Sequence, residues 1–313
     1  MSVNITSYGG RLGFAFRKYF PKLSFSGYLL LNSLRKKEAE DYIKKCLETN
    51  ERYQPILVHI ETINRCNATC SFCPANINDE KRPYSKMDYE LFMKIINDLA
   101  DINYRGIVCF FLNNEPFMDN RIPDMVKVAR DKLPNATLTI YTNGTLLTKE
   151  KLNSIAGYVN HLRINNYNHK YELTESSKMI YEHVKQNEVH FKNTKVVIEL
   201  RYSGEYLSNR AGSAPNKAES AKVMSSECIL PFTDISIFPD GTIGLCSSDV
   251  HEKTNLGNVK EKHILEIFHD KKFKDVRKMI YPNRSGIDFC KNCDFMDRGA
   301  RLSYFKAKLS ANK

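Results

Sequence analysis

Seven of the nine cysteines fall into two groups whose spacing is typical of metal sites. Cys66, Cys70 and Cys73 form the first group, in the short run RCNATCSFC. The second group lies in the last third of the chain and consists of Cys228, Cys246, Cys290 and Cys293. Thiolates are preferred ligands of iron-sulfur clusters, and a four-iron cluster normally takes four of them. Three cysteines leave one iron open to a further ligand, whereas four close the cluster.

Two simpler explanations compete with a cluster. Thiolates also hold structural zinc ions, and a thiol in a reducing compartment can be a small buried apolar group. For the second group, spacing alone favours zinc and a four-iron cluster equally. For the first group the context favours a cluster, because an apolar, β-rich run at residues 56–60 leads into it.

Apolar periodicity predicts the elements that position these cysteines. β-rich runs predict strands at residues 56–60, 107–112, 136–141, 161–165 and 195–201. Helical spacing predicts helices at residues 87–100, 122–132, 148–157 and 171–190, with Thr148 as an N-cap. Strands that alternate with helices indicate right-handed crossovers and a parallel sheet, whose ligands bind at the carboxyl ends of the strands.

The first cysteine group resembles the radical SAM enzymes, which use this three-residue then two-residue spacing. The resemblance implies a 4Fe-4S cluster held by Cys66, Cys70 and Cys73, with S-adenosylmethionine (SAM) at the open iron. It also implies an α/β fold: a partial (β/α)6 TIM-like barrel with a small C-terminal β-hairpin/helix iron-sulfur domain. Phe72 sits where the family places an aromatic residue whose backbone meets the adenine.

Further motifs of the family follow the predicted strands. Asn113, Asn114, Glu115 and Pro116 stand where the family's Gly-Gly-Glu motif binds the amino group of SAM. Asparagines replace both glycines, but a carboxylate can still accept hydrogen bonds from an ammonium. An ordinary helix start is the alternative for the Glu-Pro pair.

Two later strand ends complete the predicted SAM site. Thr142 and Asn143, followed by Gly144, resemble the family's Thr-Asn-Gly motif beside the cofactor, although Asn-Gly is also a common turn. Asn165 and Arg201 match positions where relatives contact the ribose or carboxylate of SAM. A turn asparagine and a surface cation are the alternatives for these two.

The second cysteine group resembles the SPASM/twitch extension of radical SAM enzymes. Residues 235–245 contain a hairpin signal with a Pro-Asp-Gly turn, and Leu-Gly-Asn-Val follows at residues 256–259. The resemblance implies one auxiliary 4Fe-4S cluster with all four cysteines as ligands, as in the shorter twitch form. The predicted domains are a basic, helical extension at residues 1–52, a radical SAM core at 53–225, the auxiliary-cluster domain at 226–300 and a tail at 301–313.

Composition excludes some classes of protein. The chain of 313 residues has no apolar run long enough to span a bilayer and no secretory signal, which predicts a cytoplasmic protein. Its net charge of +11 is spread along the chain without a nucleic-acid-binding motif. We expect no nucleic-acid partner; a basic surface can steer an anionic substrate or an acidic electron donor of the flavodoxin or ferredoxin type. Residues 11–19 can form an amphipathic helix that rests on the barrel, a partner or a membrane surface, and the barrel is favoured.

The resemblance implies cleavage of SAM to a 5'-deoxyadenosyl radical that takes a hydrogen atom from a substrate carbon. A dehydrogenase is favoured, which oxidises a hydroxyl of a sugar, aminocyclitol or related metabolite with the auxiliary cluster as electron acceptor. Arg210 is predicted to bind the substrate and Asp249 to accept its proton, and ordinary surface or turn roles are the alternatives. Further alternatives are an epimerase in which Cys109 donates a hydrogen atom, a maturase of a peptide or protein, and a non-enzymatic zinc or iron-sulfur module.

Overall fold

The computed structural model describes residues 2–7, 9–33, 36–49, 52–75, 82–217 and 227–295. Its strands are β1 (Val3–Thr6), β2 (Leu57–Ile60), β3 (Ile107–Cys109), β4 (Thr137–Thr142), β5 (His161–Asn168), β6 (Lys195–Tyr202), β7 (Asp234–Ile237) and β8 (Ile243–Gly244). They form one sheet in the order β1-β6-β5-β4-β3-β2-β7-β8. All neighbours are parallel except β7 and β8. The sheet is open, with β1 and β8 as its edges, which confirms the predicted parallel α/β fold.

The helices connect and cover these strands. They are α1 (Gly10–Tyr19), α2 (Pro21–Ser33), α3 (Lys36–Glu48), α4 (Tyr89–Asp101), α5 (Ile122–Lys132), α6 (Lys149–Ile155), α7 (Glu175–Gln186), α8 (Leu230–Thr233), α9 (Ile264–Phe268), α10 (Lys271–Ile280) and α11 (Asp288–Lys291). The Thr148 hydroxyl caps α6 by accepting from the Lys151 amide, as predicted. Thr174 caps α7 in the same way, so this helix begins later than its apolar pattern indicates. In the described part of the chain, no helix has the length and apolar content needed to cross a bilayer.

The two faces of the sheet differ in chemistry. Side chains alternate between the faces along a strand, and residues paired across strands share a face. Val58, Val108 and Leu138, paired in register, belong to the apolar core together with the helices. The opposite face, here called the polar face, carries residues paired in register on β7, β2, β3 and β4: Ser236, His59, Cys109 and Thr139. The fold therefore places these four residues, all of them buried, where a barrel interior lies.

Two strands were not predicted as members of the core sheet. Val3–Thr6 begins the segment predicted to be helical, and it pairs with β6 in parallel register. Asp234–Ile237 belongs to the predicted hairpin, whose turn contains Gly241 at φ 89°, but it also pairs in parallel with β2. The sheet is therefore continuous across the domain boundary predicted at residue 226. The predicted tail, residues 301–313, lies outside the described residues.

The predicted second strand also ends early. It stops at Cys109 rather than at residue 112, because the Asn114 Oδ1 accepts a hydrogen bond from the Leu112 amide and turns the chain. This turn brings Asn113, Asn114 and Glu115 to the carboxyl edge of the sheet.

Candidate cofactor sites

The first cysteine group lies on the loop after β2. The Cys73 amide donates to the Cys70 carbonyl at 3.0 Å, and the Cys66 sulfur accepts from the Ala68 amide at 3.5 Å. The pKa of Cys66 is raised to about 12 and that of Cys70 to about 11, mainly by burial and in smaller part by the neighbouring thiols. The thiols are thus close enough to influence one another's ionisation. Bound metal offsets this repulsion, since metal ligation stabilises thiolates.

Glu115 lies next to this loop and ties three strand ends together. Its amide donates to the Arg65 carbonyl at 2.9 Å, just before the first cysteine. Its Oε1 accepts from the Thr142 hydroxyl at 2.7 Å, and its Oε2 accepts from the Asn143 amide at 2.8 Å. Glu115 is buried, and burial raises its pKa. The structure therefore brings together Glu115, Thr142 and Asn143, which the sequence assigned to one SAM site.

Asn67 fastens the cysteine loop to the end of β4. Its side-chain oxygen accepts from Asn143 Nδ2 at 2.9 Å, and its own Nδ2 donates to the Thr145 hydroxyl at 2.8 Å. The sequence analysis did not identify Asn67, because an asparagine between two cysteines reads as a loop residue. The contacts give it the role of holding the cysteine loop in place.

Asn113 and Asn114 each accept a hydrogen bond through the side-chain oxygen but donate none through the side-chain nitrogen, among the described residues. The Asn113 Oδ1 accepts from Arg210 Nη1 at 2.8 Å, and the Asn114 Oδ1 accepts from the Leu112 amide at 3.0 Å. Within the described residues, neither buried Nδ2 has a hydrogen-bond partner. A buried donor without a partner costs about 1–3 kcal/mol. These two amides are therefore suited to an acceptor on a bound ligand, at the place where the family has glycines.

A group of aromatic and cationic side chains adjoins the first cysteine group. Phe72 is buried, and its ring centroid lies 5.3 Å from that of Tyr167. The Arg201 guanidinium lies over the Tyr167 ring at 5.2 Å, pairs with Glu205 and donates to the Asn165 side chain at 3.4 Å. Phe72, Asn165 and Arg201, which the sequence analysis assigned to the SAM site, are thus connected through Tyr167. Tyr167 completes the group, and the sequence analysis missed it because it lies two residues past the predicted end of this strand.

The second cysteine group is more deeply enclosed. Cys246, Cys290 and Cys293 are buried and Cys228 is half-buried. Cys246 follows β8, Cys290 lies on α11, Cys293 follows α11, and Cys228 lies in the segment just before α8. Burial raises the pKa of Cys246 well above its ordinary value, and the three other cysteines raise it further. The structure therefore assembles all four predicted ligands at one place.

Arg284 is a buried cation beside this second group. Its side chain is hydrogen-bonded to Cys293, and it donates to the carbonyls of Glu227 and Phe295 at 2.7 Å each. Nothing in the sequence distinguishes Arg284 from the many other basic residues. The structure gives it a specific place, because a guanidinium here opposes the negative charge of four thiolates.

Arg210 lies between the two cysteine sites. Besides Asn113, it contacts the Ser247 carbonyl at 3.4 Å, next to Cys246. Its backbone is left-handed at φ 47°, as are Ala211 and Gly212. Asn209 and Asp294 exchange hydrogen bonds that fasten this turn to the second cysteine segment. The turn thus places the Arg210 guanidinium against Asn113 of the SAM motif.

Asp249 and Cys109 lie in different surroundings. Asp249 is fully buried; its Oδ1 accepts from the Lys253 amide and its Oδ2 from the amide and hydroxyl of Thr254. These contacts hold the loop after Cys246. Cys109 is buried on the polar face, in register with His59 and Thr139.

Glu61 and Arg82 form a buried ion pair that the sequence analysis missed. Both side chains are almost fully buried, and Arg82 also donates to Glu252 at 2.7 Å. Glu61 Oε1 accepts from the Asn113 amide at 3.1 Å. Burial raises the pKa of Glu61, and Arg82 opposes that shift. The pair therefore holds the backbone of the SAM motif in place through the Asn113 amide.

Comparisons with known proteins agree with this arrangement. A model of the radical SAM superfamily matches residues 60–169, and a model of the SPASM iron-sulfur cluster-binding domain matches residues 228–294. Together the two matches cover more than half of the chain.

Similar proteins include enzymes of known activity. The chain is 28% identical to the S-adenosyl-L-methionine-dependent 2-deoxy-scyllo-inosamine dehydrogenase of Niallia circulans over 241 residues, 76% of this chain and 92% of that protein. It is similar to the crystal structure of BtrN in complex with AdoMet and 2-DOIA, with a TM-score of 0.66 and 25% identity over 78% of this chain and 95% of that one. The fold is also that of anSMEcpe with bound AdoMet, with a TM-score of 0.50 and 12% identity over 83% of this chain and 94% of that one.

A parallel α/β sheet with a three-cysteine loop at its carboxyl edge and a four-cysteine segment beside it defines an iron-sulfur enzyme. The chain belongs to the radical SAM superfamily and carries a C-terminal SPASM-type domain. Its cofactors are SAM, a SAM-binding 4Fe-4S cluster and an auxiliary 4Fe-4S cluster.

The described side chains fit these cofactors. The two unsatisfied amides of Asn113 and Asn114 lie beside Glu115, so acceptors and donors for an amino acid ligand adjoin the three-cysteine loop. The radical SAM and SPASM matches assign iron-sulfur clusters, and not zinc, to the two cysteine groups.

Proposed function

We propose that this enzyme oxidises a hydroxyl-bearing carbon of an aminocyclitol, a sugar or a related small polar metabolite, with the auxiliary cluster as electron acceptor. The similarity to a 2-deoxy-scyllo-inosamine dehydrogenase over most of both chains supports this reaction. When bound, SAM supplies the radical that removes the substrate hydrogen, and the auxiliary cluster supplies the acceptor for the second electron.

The observation that carries the proposal is the position of Arg210. Its guanidinium donates both to Asn113, in the SAM motif, and towards the Ser247 carbonyl, next to an auxiliary-cluster cysteine. A substrate that must give a hydrogen atom at one cofactor and an electron at another has to lie between them. Arg210 can bind a substrate oxygen there, because its guanidinium offers several donors in a fixed plane.

The polar face supports a substrate rich in hydroxyl groups. His59, Thr139 and Ser236 lie on it in register. Arg163 and Glu199, paired at 3.2 Å, lie on the same face at β5 and β6. These side chains provide donors and acceptors along the sheet that a hydroxyl-rich substrate can use.

Asp249 is proposed as the residue that accepts the substrate proton. Its carboxylate oxygens already accept hydrogen bonds from Lys253 and Thr254, so it would have to exchange these bonds for the substrate. An Asp249→Asn variant separates the two roles. Loss of turnover with an unchanged melting temperature would support proton transfer, and a lower melting temperature with retained turnover would support loop anchoring.

The test of the proposal uses the anaerobically reconstituted enzyme with SAM, a reductant and a panel that includes 2-deoxy-scyllo-inosamine and other aminocyclitols and sugars. We expect a product two mass units lighter than its substrate, formed together with 5'-deoxyadenosine. A substrate deuterated at the reacting carbon should transfer its label to the 5'-deoxyadenosine. The Arg210→Lys variant is the matched comparison and should raise KM for the substrate more than KM for SAM. Formation of 5'-deoxyadenosine without label from any panel member would contradict the substrate class.

Cys109 supports a second candidate, a redox-neutral epimerase. Its thiol is buried on the polar face beside His59, where a substrate radical could take a hydrogen atom from it. Turnover in D2O distinguishes the two reactions, since an epimerase incorporates solvent deuterium at the product carbon and a dehydrogenase does not. The Cys109→Ala variant should abolish turnover only in the epimerase.

We also propose a cytoplasmic location and an electron donor of the flavodoxin or ferredoxin type. The net charge of +11 suits an acidic donor, because opposite charges accelerate association. Higher salt should slow SAM cleavage with reduced flavodoxin and leave the rate with dithionite nearly unchanged.

A further inference from the structure

The first two helices carry exposed apolar side chains, and all of their charged side chains are positive. Leu12, Phe16 and Tyr19 on α1 are 84%, 41% and 67% exposed, and Phe20 and Leu23 beyond it are 57% and 60% exposed. These positions follow helical spacing, so the α1 residues lie along one side of that helix. We call the five residues the outer face.

The opposite side of α1 is fixed to the core. Phe14 is buried, with edge-to-face ring contacts to Tyr171 at 5.4 Å and Tyr202 at 6.1 Å. Arg17 pairs with Glu205 at 3.5 Å. Because α1 is docked on β6 through these residues, its outer face points away from the sheet. The segment predicted to rest on the barrel does so and presents a second, apolar side outwards.

The charge of this segment identifies the kind of surface that fits it. The first 37 residues contain seven lysines and arginines and no aspartate or glutamate. Lys22 and Arg11 are exposed beside the outer face, and the Lys18 ammonium lies 5.3 Å from the Tyr19 ring centroid. Basic side chains flanking exposed Leu, Phe and Tyr are typical of helices that lie in the plane of an anionic membrane surface.

We propose that the outer face docks the enzyme reversibly on an anionic phospholipid surface. The apolar side chains enter the boundary between headgroups and acyl chains, and Arg11, Lys18 and Lys22 remain at the level of the phosphates. The outer face includes none of the residues assigned to the SAM site, and the link between the two is Glu205, which pairs with both Arg17 and Arg201. The proposal is therefore independent of the proposed reaction.

Co-sedimentation of the full-length enzyme with phospholipid vesicles tests it. We expect binding to vesicles that contain phosphatidylglycerol, little binding to pure phosphatidylcholine, and a decrease at high salt because the attraction is screened. The double variant Phe16→Glu/Leu23→Glu should bind about tenfold more weakly. Val189→Glu is the matched control, since Val189 is 82% exposed elsewhere and should leave binding unchanged.

Two further measurements keep the outcomes distinct. The melting temperature and SAM cleavage of the double variant should equal those of the wild type, which shows that the outer face is not part of the core. If Phe16→Glu/Leu23→Glu lowers stability instead, an Arg11→Glu/Lys22→Glu variant tests the charge alone. Absence of vesicle binding, equal binding to neutral vesicles, or a dimer in light scattering that the double variant dissolves would overturn the proposal.

Discussion

The two cysteine sites are built differently, and the difference matches their tasks. The first group lies on a loop between β2 and α4, where its three members are half-buried and held by Asn67 through polar contacts. In the second group three of four cysteines are buried, and Arg284 is hydrogen-bonded among them. A site that must admit SAM needs an accessible loop, whereas a site that only exchanges electrons works best closed.

The polar side chains next to the two sites also differ in how many of their hydrogen bonds are formed. Near the first group the buried amides of Asn113 and Asn114 have no partner among the described residues, so its polar shell has room for a ligand. Near the second group Arg284 uses its guanidinium on two carbonyls and a cysteine, so its shell is complete. Unsatisfied donors next to one cluster and satisfied donors next to the other distinguish a SAM-binding cluster from an electron-transfer cluster.

The three-cysteine site is here called the open site and the four-cysteine site the closed site. The largest effect should follow from removal of the open site. The triple variant Cys66→Ala/Cys70→Ala/Cys73→Ala should lower the iron content from about eight to about four per chain. SAM cleavage should be lost completely, together with any EPR signal that SAM perturbs. Cys46→Ala is the control, because Cys46 belongs to neither group and contacts tyrosines instead. A triple variant that keeps eight irons would show that the two sites are assigned wrongly.

Removal of the closed site should separate cleavage from oxidation. In the quadruple variant Cys228→Ala/Cys246→Ala/Cys290→Ala/Cys293→Ala we again expect about four irons, and the three-cysteine loop should still support SAM cleavage. Oxidised product should fall far more than 5'-deoxyadenosine, since the second electron has lost its acceptor. Equal losses of both products would mean that the second cluster serves structure alone.

The pKa of Glu115 allows a sharper test of the open site. Replacement by Gln removes a charge that can bind the SAM ammonium, and should weaken SAM binding by about tenfold to about a hundredfold. Burial raises the pKa of Glu115, so its carboxylate takes up a proton at a higher pH than an exposed glutamate, whose pKa is about 4.3. SAM affinity of the wild type should therefore fall as the pH falls towards this raised pKa.

In Glu115→Gln this part of the pH dependence should disappear. The exposed Glu150→Gln on α6 is the control and should retain both the affinity and its pH dependence. Titration calorimetry or equilibrium dialysis with SAM across the acid range measures the difference. A pH profile that is the same in wild type and Glu115→Gln would assign the titration to another group.

The sequence predicted the ligands better than their supports. Cysteines, the Glu-Pro pair and the Thr-Asn-Gly turn carry their chemistry in residue type and spacing, so the clusters and the family could be recognised without coordinates. Arg284, Tyr167 and the Glu61–Arg82 pair carry no such signal, since their roles depend on neighbours distant in sequence. The same reason explains why β1 was missed. Four residues, Val3–Thr6, are too short for a periodic pattern, and they form a strand because β6 offers a free edge.

The smallest of the expected effects concerns the charge beside the closed site. A buried cation stabilises the more negative, reduced form of a cluster, so Arg284→Gln should lower the midpoint potential of the auxiliary cluster. At a fixed potential the ratio of reduced to oxidised cluster should fall about threefold to about tenfold, and tenfold corresponds to about 59 mV for one electron. An EPR-monitored titration in the background of the three-cysteine variant isolates this cluster.

Two other arginine variants decide whether charge is the cause. Arg284→Lys keeps the positive charge and should shift the potential less than Arg284→Gln. Arg277→Gln removes an equally buried arginine, which lies 4.2 Å from the Phe268 ring centroid and donates to the Pro231 carbonyl. It should lower the melting temperature without moving the potential, because none of the four cysteines is among its contacts in the described residues. If Arg284→Gln binds four irons at an unchanged potential, the guanidinium serves only the fold of the loop, and the closed site owes its potential to burial alone.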